Sequence, residues 1–170
     1  MRATRRVLFL GAVVALALVG VTACTRPVGS ASEPSSATDQ ETQDQNARAL
    51  ADYVDLERAQ IPKILDQNPG LYSEVRIEGE LNESSGQNGL APGTHAVVFY
   101  SYLYANPVDW STAIDALDNQ RSNLDVACRT AIFPAMRNAG ITGPLGAQFS
   151  YDDGSSDFGA LWHHYCSDPD

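Results

Sequence analysis

"THAVVFYSYLYA", residues 94–105, is the stretch of sequence that decides the fold. Side chains of an extended chain point alternately to opposite faces, so every second residue shares a face. One face carries Val97, Phe99 and Leu103, and the opposite face carries a row of three tyrosines. These are Tyr100, Tyr102 and Tyr104. Because aromatic and β-branched residues favour pleated strands, the stretch predicts a β-strand.

A second strand is predicted just before it, in "LYSEVRIEGEL", residues 71–81. Its apolar residues Val75, Ile77 and Leu81 alternate with charged ones. The charged residues are Glu74, Arg76, Glu78 and Glu80. Such alternation is typical of a strand with one face on the core and one in water. We expect the two strands to pair in antiparallel orientation.

Helical patterns flank this pair of strands. Residues 39–67 carry an apolar stripe at helical spacing, and we expect Pro62 to kink or restart that helix. The segment Asn68–Gly70 should end it.

A long helix is predicted after the second strand, with Asn106 as its N-cap and Pro107 at its first position. We expect Pro134 to break this helix into a second short piece that closes at Gly140.

The last segment, residues 146–166, predicts two strands joined around Asp153-Gly154. The predicted order is therefore helix, two strands, helix, two strands. Two amphipathic helices and a four-stranded antiparallel sheet with one wet face indicate an α+β fold. We expect a two-layer sandwich, with both helices packed on one face of the sheet.

The chain begins with a basic segment followed by fifteen residues without charge, 7–21, which is the layout of an export signal. As a helix this run would span about 22 Å, less than the hydrocarbon layer of about 30 Å, so a spanning helix is the weaker interpretation. We predict a signal peptide over residues 1–23 and a flexible tether rich in Ser, Ala and Pro over 24–38. Residues 39–170 should form a single domain.

"VTAC", residues 21–24, resembles the lipobox of bacterial lipoproteins: an aliphatic residue, two small ones and then a cysteine. The resemblance implies a diacylglyceryl group on the thiol of Cys24, with an optional further acyl chain on its amine. Two acyl chains hold a protein stably at a bilayer. The alternative is a cysteine that is discarded with the leader.

Cys128 and Cys166 then remain as a pair in an exported chain, where an oxidising compartment favours a disulfide. The bridge would close a loop of 38 residues and stabilise the fold by about 3 to 4 kcal/mol in the chain-entropy model. Two free thiols are the alternative.

The net charge is −10, and it becomes −13 when residues 1–23 with their three arginines are removed. With Lys63 as its one lysine, the chain has no basic cluster, which argues against nucleic acid as a partner. An anionic membrane surface would repel it as well. Membrane attachment should therefore depend on lipid at Cys24, which places the protein at the outer face of the cytoplasmic membrane.

Together, the lipobox, the polar tether, the first helix, the strand "HAVVFYSYLYA" and the helix led by "PVD" resemble small extracytoplasmic lipoproteins of Gram-positive bacteria. Arginine supplies 10 of the 11 basic residues, which is typical of an actinobacterial source. The resemblance implies no reaction and no catalytic residue.

Candidate chemistry is sparse. Carboxylates in "DDGSSD", residues 152–157, could hold Ca²⁺, but the segment lacks EF-hand spacing, and a solvated turn explains it as well. His163 and His164 are adjacent on a predicted strand, so they point to opposite faces and cannot grip one metal. We predict no metal, no cofactor and no catalytic residue.

The candidate binding face is the outward side of the second strand, where tyrosines offer a large contact area with a polar tip. It comprises Tyr100, Tyr102 and Tyr104, extended by His163 and Tyr165. The alternative is that tyrosines simply suit half-exposed strands, or lie beneath the loop 82–93.

The predicted function is that of a non-enzymatic binding or accessory module at the cell envelope, with an envelope protein or a small ligand as its partner. Two alternatives stay open: an envelope hydrolase that uses His163 or His164, and a structural protein of the envelope.

Overall fold

A four-stranded sheet is the centre of the fold in the computed structural model, which describes residues 35–86, 90, 92–157 and 159–168. The strands lie side by side in chain order. They are β1 (Tyr72–Ser84), β2 (Gly93–Tyr104), β3 (Leu145–Asp152) and β4 (Trp162–Asp168). The predicted α+β class is confirmed. The predictions made for residues 1–34, including the signal peptide and Cys24, lie outside the described residues.

The sheet is mixed, and the prediction of a purely antiparallel sheet is wrong. β1 pairs antiparallel with β2, and β3 with β4, but β2 and β3 run parallel. The physical reason lies in the connection, because a helical region spanning residues 110–138 separates β2 from β3. A strand that returns after such a crossover joins its neighbour in parallel.

Helices precede β1 and fill the crossover. They are α1 (Ser35–Arg58), α2 (Ile61–Gln67), α3 (Trp110–Asp118), α4 (Arg121–Ala127) and α5 (Phe133–Asn138). The helix restarts where Pro62 predicted, since α2 carries this proline in its first turn. In the part of the chain that the structure describes, no helix combines the length and the apolar character needed to cross a membrane.

The helix after β2 begins later than predicted because Asp109, rather than Asn106, is its N-cap. The Asp109 carboxylate accepts a hydrogen bond from the backbone N–H of Ser111 at 3.1 Å. This satisfies one of the backbone donors that an N-terminus leaves without a helical partner.

A π-helical turn, Cys128–Ile132, joins α4 to α5, where the sequence predicted a break at Pro134. The N–H of Phe133 donates to the carbonyl of Cys128, five residues earlier. Pro134 lies in the first turn of α5, directly after the π-helical turn, and has no N–H to donate to the preceding turn. The extra residue in the wide turn lets Cys128, Phe133 and Met136 all reach the core.

The core lies on the sheet face that carries Ile77, Val98 and Phe149. Helix α1 packs closely on this face at Gly79, where an added Cβ would lie 2.7 Å from Val54 Cγ2. The predicted disulfide is confirmed: Cys128 and Cys166 are bonded, with their Cα atoms 6.4 Å apart, and join the crossover to β4.

Candidate functional site

The three tyrosines of β2 face the core, so the prediction that they point outward is wrong. Tyr100 and Tyr104 are 5% and 9% exposed. The register explains the placement, because Tyr100 pairs with Ile77 on β1 and with Phe149 on β3. Residues directly opposite each other in a sheet share a face, so the tyrosine row continues the buried apolar surface of both neighbouring strands.

The hydroxyl of Tyr100 finds its partners inside the protein. The Tyr53 and Tyr100 hydroxyls are 3.0 Å apart, and the Tyr100 hydroxyl donates to the Glu57 carboxylate at 3.3 Å. Burial raises the pKa of the Glu57 carboxyl and the pKa of Tyr100. Buried hydroxyls with partners belong to a stable interior rather than to a contact surface.

Aromatic rings fill the same face at the carboxyl end of β2. Tyr102 stacks on Tyr151 with ring centroids 4.8 Å apart, and Tyr72 lies 5.2 Å from Tyr102. Trp110 of α3 meets Tyr104 edge-on at 6.0 Å. These geometries are the offset and edge contacts that stabilise aromatic pairs, so this cluster has a packing role.

His163 and Tyr165 lie on the opposite face of the sheet, with ring centroids 6.3 Å apart. Their neighbours Trp162 and Cys166 are buried on the core face, as alternation along a strand requires. The structure therefore divides the predicted binding face: its three β2 tyrosines are separated from His163 and Tyr165 by the sheet itself.

His164 belongs to a hydrogen-bonded network on the core face. Its Nδ1 lies 3.2 Å from Arg121 Nη1, and its Nε2 lies 2.8 Å from Asp125 Oδ1. A guanidinium can only donate, so Nδ1 accepts, and Nε2–H donates a hydrogen bond to the Asp125 carboxylate. With both ring nitrogens engaged, His164 has no free nitrogen with which to activate a nucleophile.

Arg121 is held by three further contacts. It donates from Nε to Asp118 at 2.8 Å and from Nη1 to the carbonyl of His163 at 3.2 Å. Its guanidinium lies 4.6 Å from the ring centroid of Trp162. Asp118 also accepts a bond from the Trp162 indole at 2.8 Å, so the network fixes the start of α4 against β4.

Two groups of possible metal ligands have structural roles instead. Atoms of Asp125, His164 and Cys166 lie within 4.8 Å of one another, but the Cys166 sulfur is bonded to Cys128. Asp153 accepts backbone hydrogen bonds from Val108 and Ser155, each at 3.0 Å.

Hydrogen bonds from Ser155 and Val108 lower the pKa of Asp153 to about 2. Asp152 likewise accepts from the backbone N–H of Gly154 at 2.8 Å. The aspartates therefore fasten the turn between β3 and β4.

The face that carries His163 contains an open groove of about 290 Å³. It crosses β1, β2 and β3 at the end of the sheet where β2 and β3 terminate. We call it the open-face groove. Its lining includes Tyr102, whose ring packs on the core face, and residues of the open face. These are Glu74, Arg76, Ser101, Leu103, Ser150, Asp152 and Ala160.

Polar pairs form the wall and floor of the open-face groove. Arg76 Nε and Nη2 donate to the two oxygens of Glu74 at 2.6 and 3.0 Å. These bonds lower the pKa of the Glu74 carboxyl, which stays ionised. On the floor, the hydroxyls of Ser101 and Ser150 are 3.1 Å apart. The groove can thus offer charged and neutral hydrogen-bonding groups to a ligand.

Sequence reasoning missed this groove, although part of its signal was present. Alternation along β1 assigns Glu74 and Arg76 to the wet face, as observed. Ser101 and Ser150 each lie between two aromatic residues of their strand, and only the parallel pairing of β2 and β3 places them directly opposite each other. This strand pairing is a long-range feature that local sequence patterns do not predict.

Comparisons with known proteins do not assign the chain to a family. No protein-family model, no curated protein and no solved structure matches it.

Proposed function

We propose that the chain is a non-enzymatic binding module, with the open-face groove as its binding site. The observation that carries this proposal is a groove lined by ionised and hydroxyl side chains on the face opposite the core. The aspartate–histidine pair at His164 lies on the core face, with both ring nitrogens engaged. Acid–base catalysis at that pair is therefore poorly supported, whereas binding of a ligand in the groove needs only the polar side chains that already line it.

The proposal includes a two-layer arrangement, in which the helices cover the core face and leave the groove face free. The contact of α1 at Gly79 and the disulfide between the crossover and β4 support it, because both involve residues of the core face. A partner would then approach the sheet directly.

We further propose that acyl chains on Cys24 hold this module at the outer face of the cytoplasmic membrane. The residues Val21 to Cys24 support the anchor, and the net charge of −10 makes electrostatic adsorption to an anionic bilayer unfavourable. Mass spectrometry of the mature protein should find a lipidated Cys24 at its amino terminus. An unmodified amino terminus, or a Cys24→Ala chain that remains in the membrane fraction, would refute the anchor.

Photo-crosslinking in intact cells tests the binding site. A photoreactive amino acid at Ala160, in the groove, should give a discrete crosslinked product. The same amino acid at Ser122, on the exposed surface of α4, is the matched control. Equal crosslinking from both positions, or none from Ala160, would contradict a binding site in the groove.

A hydrolase is the second candidate, and one observation favours it. Ser150 and His163 are directly paired across β3 and β4, and Asp152 lies on the same face. Opposed side chains of this kind have Cβ atoms about 5 Å apart, within reach of a rotamer change. In the described structure, however, no hydrogen bond links the His163 ring to Ser150 or Asp152.

A fluorophosphonate label distinguishes the two candidates, because it reacts covalently with activated serines. The binding proposal expects no labelling of the intact protein. Labelling that disappears in both Ser150→Ala and His163→Ala chains would replace the binding module with a hydrolase.

A further inference from the structure

The open-face groove has more hydrogen-bond acceptors than donors. Each ionised carboxylate offers about four lone-pair sites, and Arg76 occupies only two of those on Glu74. Asp152 accepts one backbone hydrogen bond, from Gly154. The Ser101–Ser150 pair uses one hydroxyl hydrogen for its own bond and adds further lone pairs. A cationic side chain, which supplies several N–H donors and no acceptor, would satisfy this surplus.

The register fixes the spacing of the two carboxylates. Glu74 pairs with Leu103, and Leu103 pairs with Asp152, so the two acids lie two strand spacings apart, about 9 to 10 Å. Leu103 lies between them and is half-buried. This is an aliphatic strip with an acid at either side. It matches a long side chain whose methylenes cover the leucine while its charged end reaches a carboxylate.

The charge of the surrounding surface favours the same kind of ligand. Glu78 and Glu80 continue the exposed face of β1 beyond the groove, and the nearest cation, Arg76, is neutralised by Glu74. A net charge of −10 attracts cations at long range and repels nucleic acid, anionic lipid and a second copy of the same acidic face.

We propose that the open-face groove binds an extended basic peptide segment of a partner protein, with a lysine or arginine side chain lying over Leu103 between Glu74 and Asp152. This inference rests on the proposed binding function and adds the chemistry of the partner. Long-range attraction speeds the encounter, and the groove supplies the specificity.

Fluorescence anisotropy with a fluorescein-labelled (Lys-Ser)₄ peptide tests the proposal on the full-length chain in a non-ionic detergent. Glu74→Gln and Asp152→Asn should each weaken binding about five- to tenfold. Asp115→Asn, on the exposed surface of α3, removes the same charge away from the groove and should leave the affinity within about twofold. Circular dichroism checks that each variant is folded.

The outcomes separate this inference from the binding function on which it rests. An equal loss of affinity in the Asp152→Asn and Asp115→Asn chains would show only general attraction and would overturn the inference. Preference for a (Glu-Ser)₄ peptide would overturn it too. If (Lys-Ser)₄ fails to bind while Ala160 still gives a discrete crosslink in cells, the basic partner is wrong and the binding site stands. If both fail, both proposals fall.

Discussion

At the scale of single residues, the tyrosines of β2 have the composition of a binding surface but pack on the core. A row of three tyrosines on one strand face has the composition of a contact surface. In the fold the same row is continuous with Val75 and Ile77 of β1, and the Tyr100 hydroxyl bonds to Tyr53 and Glu57. The rings therefore pack on the core, and the buried hydroxyl of Tyr100 has its partners inside the protein.

Tyr102→Ala should destabilise the protein by about 2 to 3 kcal/mol, because it removes a half-buried ring that stacks on Tyr151 and contacts Tyr72. Tyr165→Ala is the matched control on the opposite face, where a half-buried ring should cost about 1 kcal/mol or less. Urea unfolding followed by circular dichroism measures both. Similar losses in the two variants would contradict the assignment of Tyr102 to the core.

The tyrosines packed on the core face also predict how stability depends on alkaline pH. Burial raises the pKa of Tyr102 to about 12 and also raises the pKa of Tyr53 and of Tyr72. Because the folded-state pKa is raised, the fold favours the neutral phenol. This contribution to the free energy of unfolding is complete below the pKa of an unfolded tyrosine, about 10. It is lost as the pH rises through the pKa of the folded state.

Absorbance at 295 nm, which reports tyrosinate, should therefore rise late and together with the loss of the circular dichroism signal. The urea-unfolded chain is the reference and should titrate near pH 10. Tyrosinate formation near pH 10 in the still-folded protein would show that these rings are open to solvent.

Which face of β2 would be buried could not be predicted from its own residues. Both faces are apolar enough to enter a core, since Val97 is as buried as Val98, each at 0% exposure. Leu90, from the loop before β2, covers part of the second face: an added Cβ at Gly146 would lie 2.9 Å from Leu90 Cδ2. The choice depends on pairing with β1 and β3, which is long-range information.

At the scale of elements, the contact between α1 and β1 depends on the absence of a side chain. Gly79 lies directly under α1, with Val54 and Leu50 filling the space that a Cβ would need. Strand interiors disfavour glycine, so its presence in β1 has a packing reason: it admits the helix.

Gly79→Val should destabilise the protein by about 1 to 3 kcal/mol, because the new side chain displaces Val54 and Leu50 and lifts α1 from the sheet. Glu78→Val adds the same residue one position earlier, on the exposed face, and should be nearly neutral. Chemical denaturation compares the two. Equal stability of both variants would show that α1 does not pack closely at this position.

Element types were predictable from the sequence because each strand and helix carries its own period. The alternation in β1 and the turn around Gly154 are local signals. The direction of β3 cannot be predicted from local signals, because it depends on the end of the sheet at which the crossover returns the chain. The predicted order of a strand, a helix and a strand already favours a parallel pair, and this consequence was missed in predicting an antiparallel sheet.

At the scale of the whole molecule, the disulfide joins two parts of the chain that lie 38 residues apart in sequence, the crossover and β4. Cys128 is 0% exposed at the start of the π-helical turn, and Cys166 lies on the core face of β4. Close by, the hydrogen bond between Arg121 and His164 connects α4 to β4. The bridge and the network together hold the crossover against the edge of the sheet.

Opening this bridge should lower the free energy of unfolding by about 3 to 4 kcal/mol, as expected for a loop of 38 residues. Urea unfolding of the intact chain, with and without a thiol reductant, measures the loss. A Cys128→Ala/Cys166→Ala chain is the control, because the reductant should leave its stability unchanged.

The groove residues lie on the opposite face and at the other end of the strands, so the reduced protein should still bind the (Lys-Ser)₄ peptide wherever it stays folded. Loss of peptide binding by a reduced but folded chain would mean that the groove depends on the crossover and is not a property of the sheet alone.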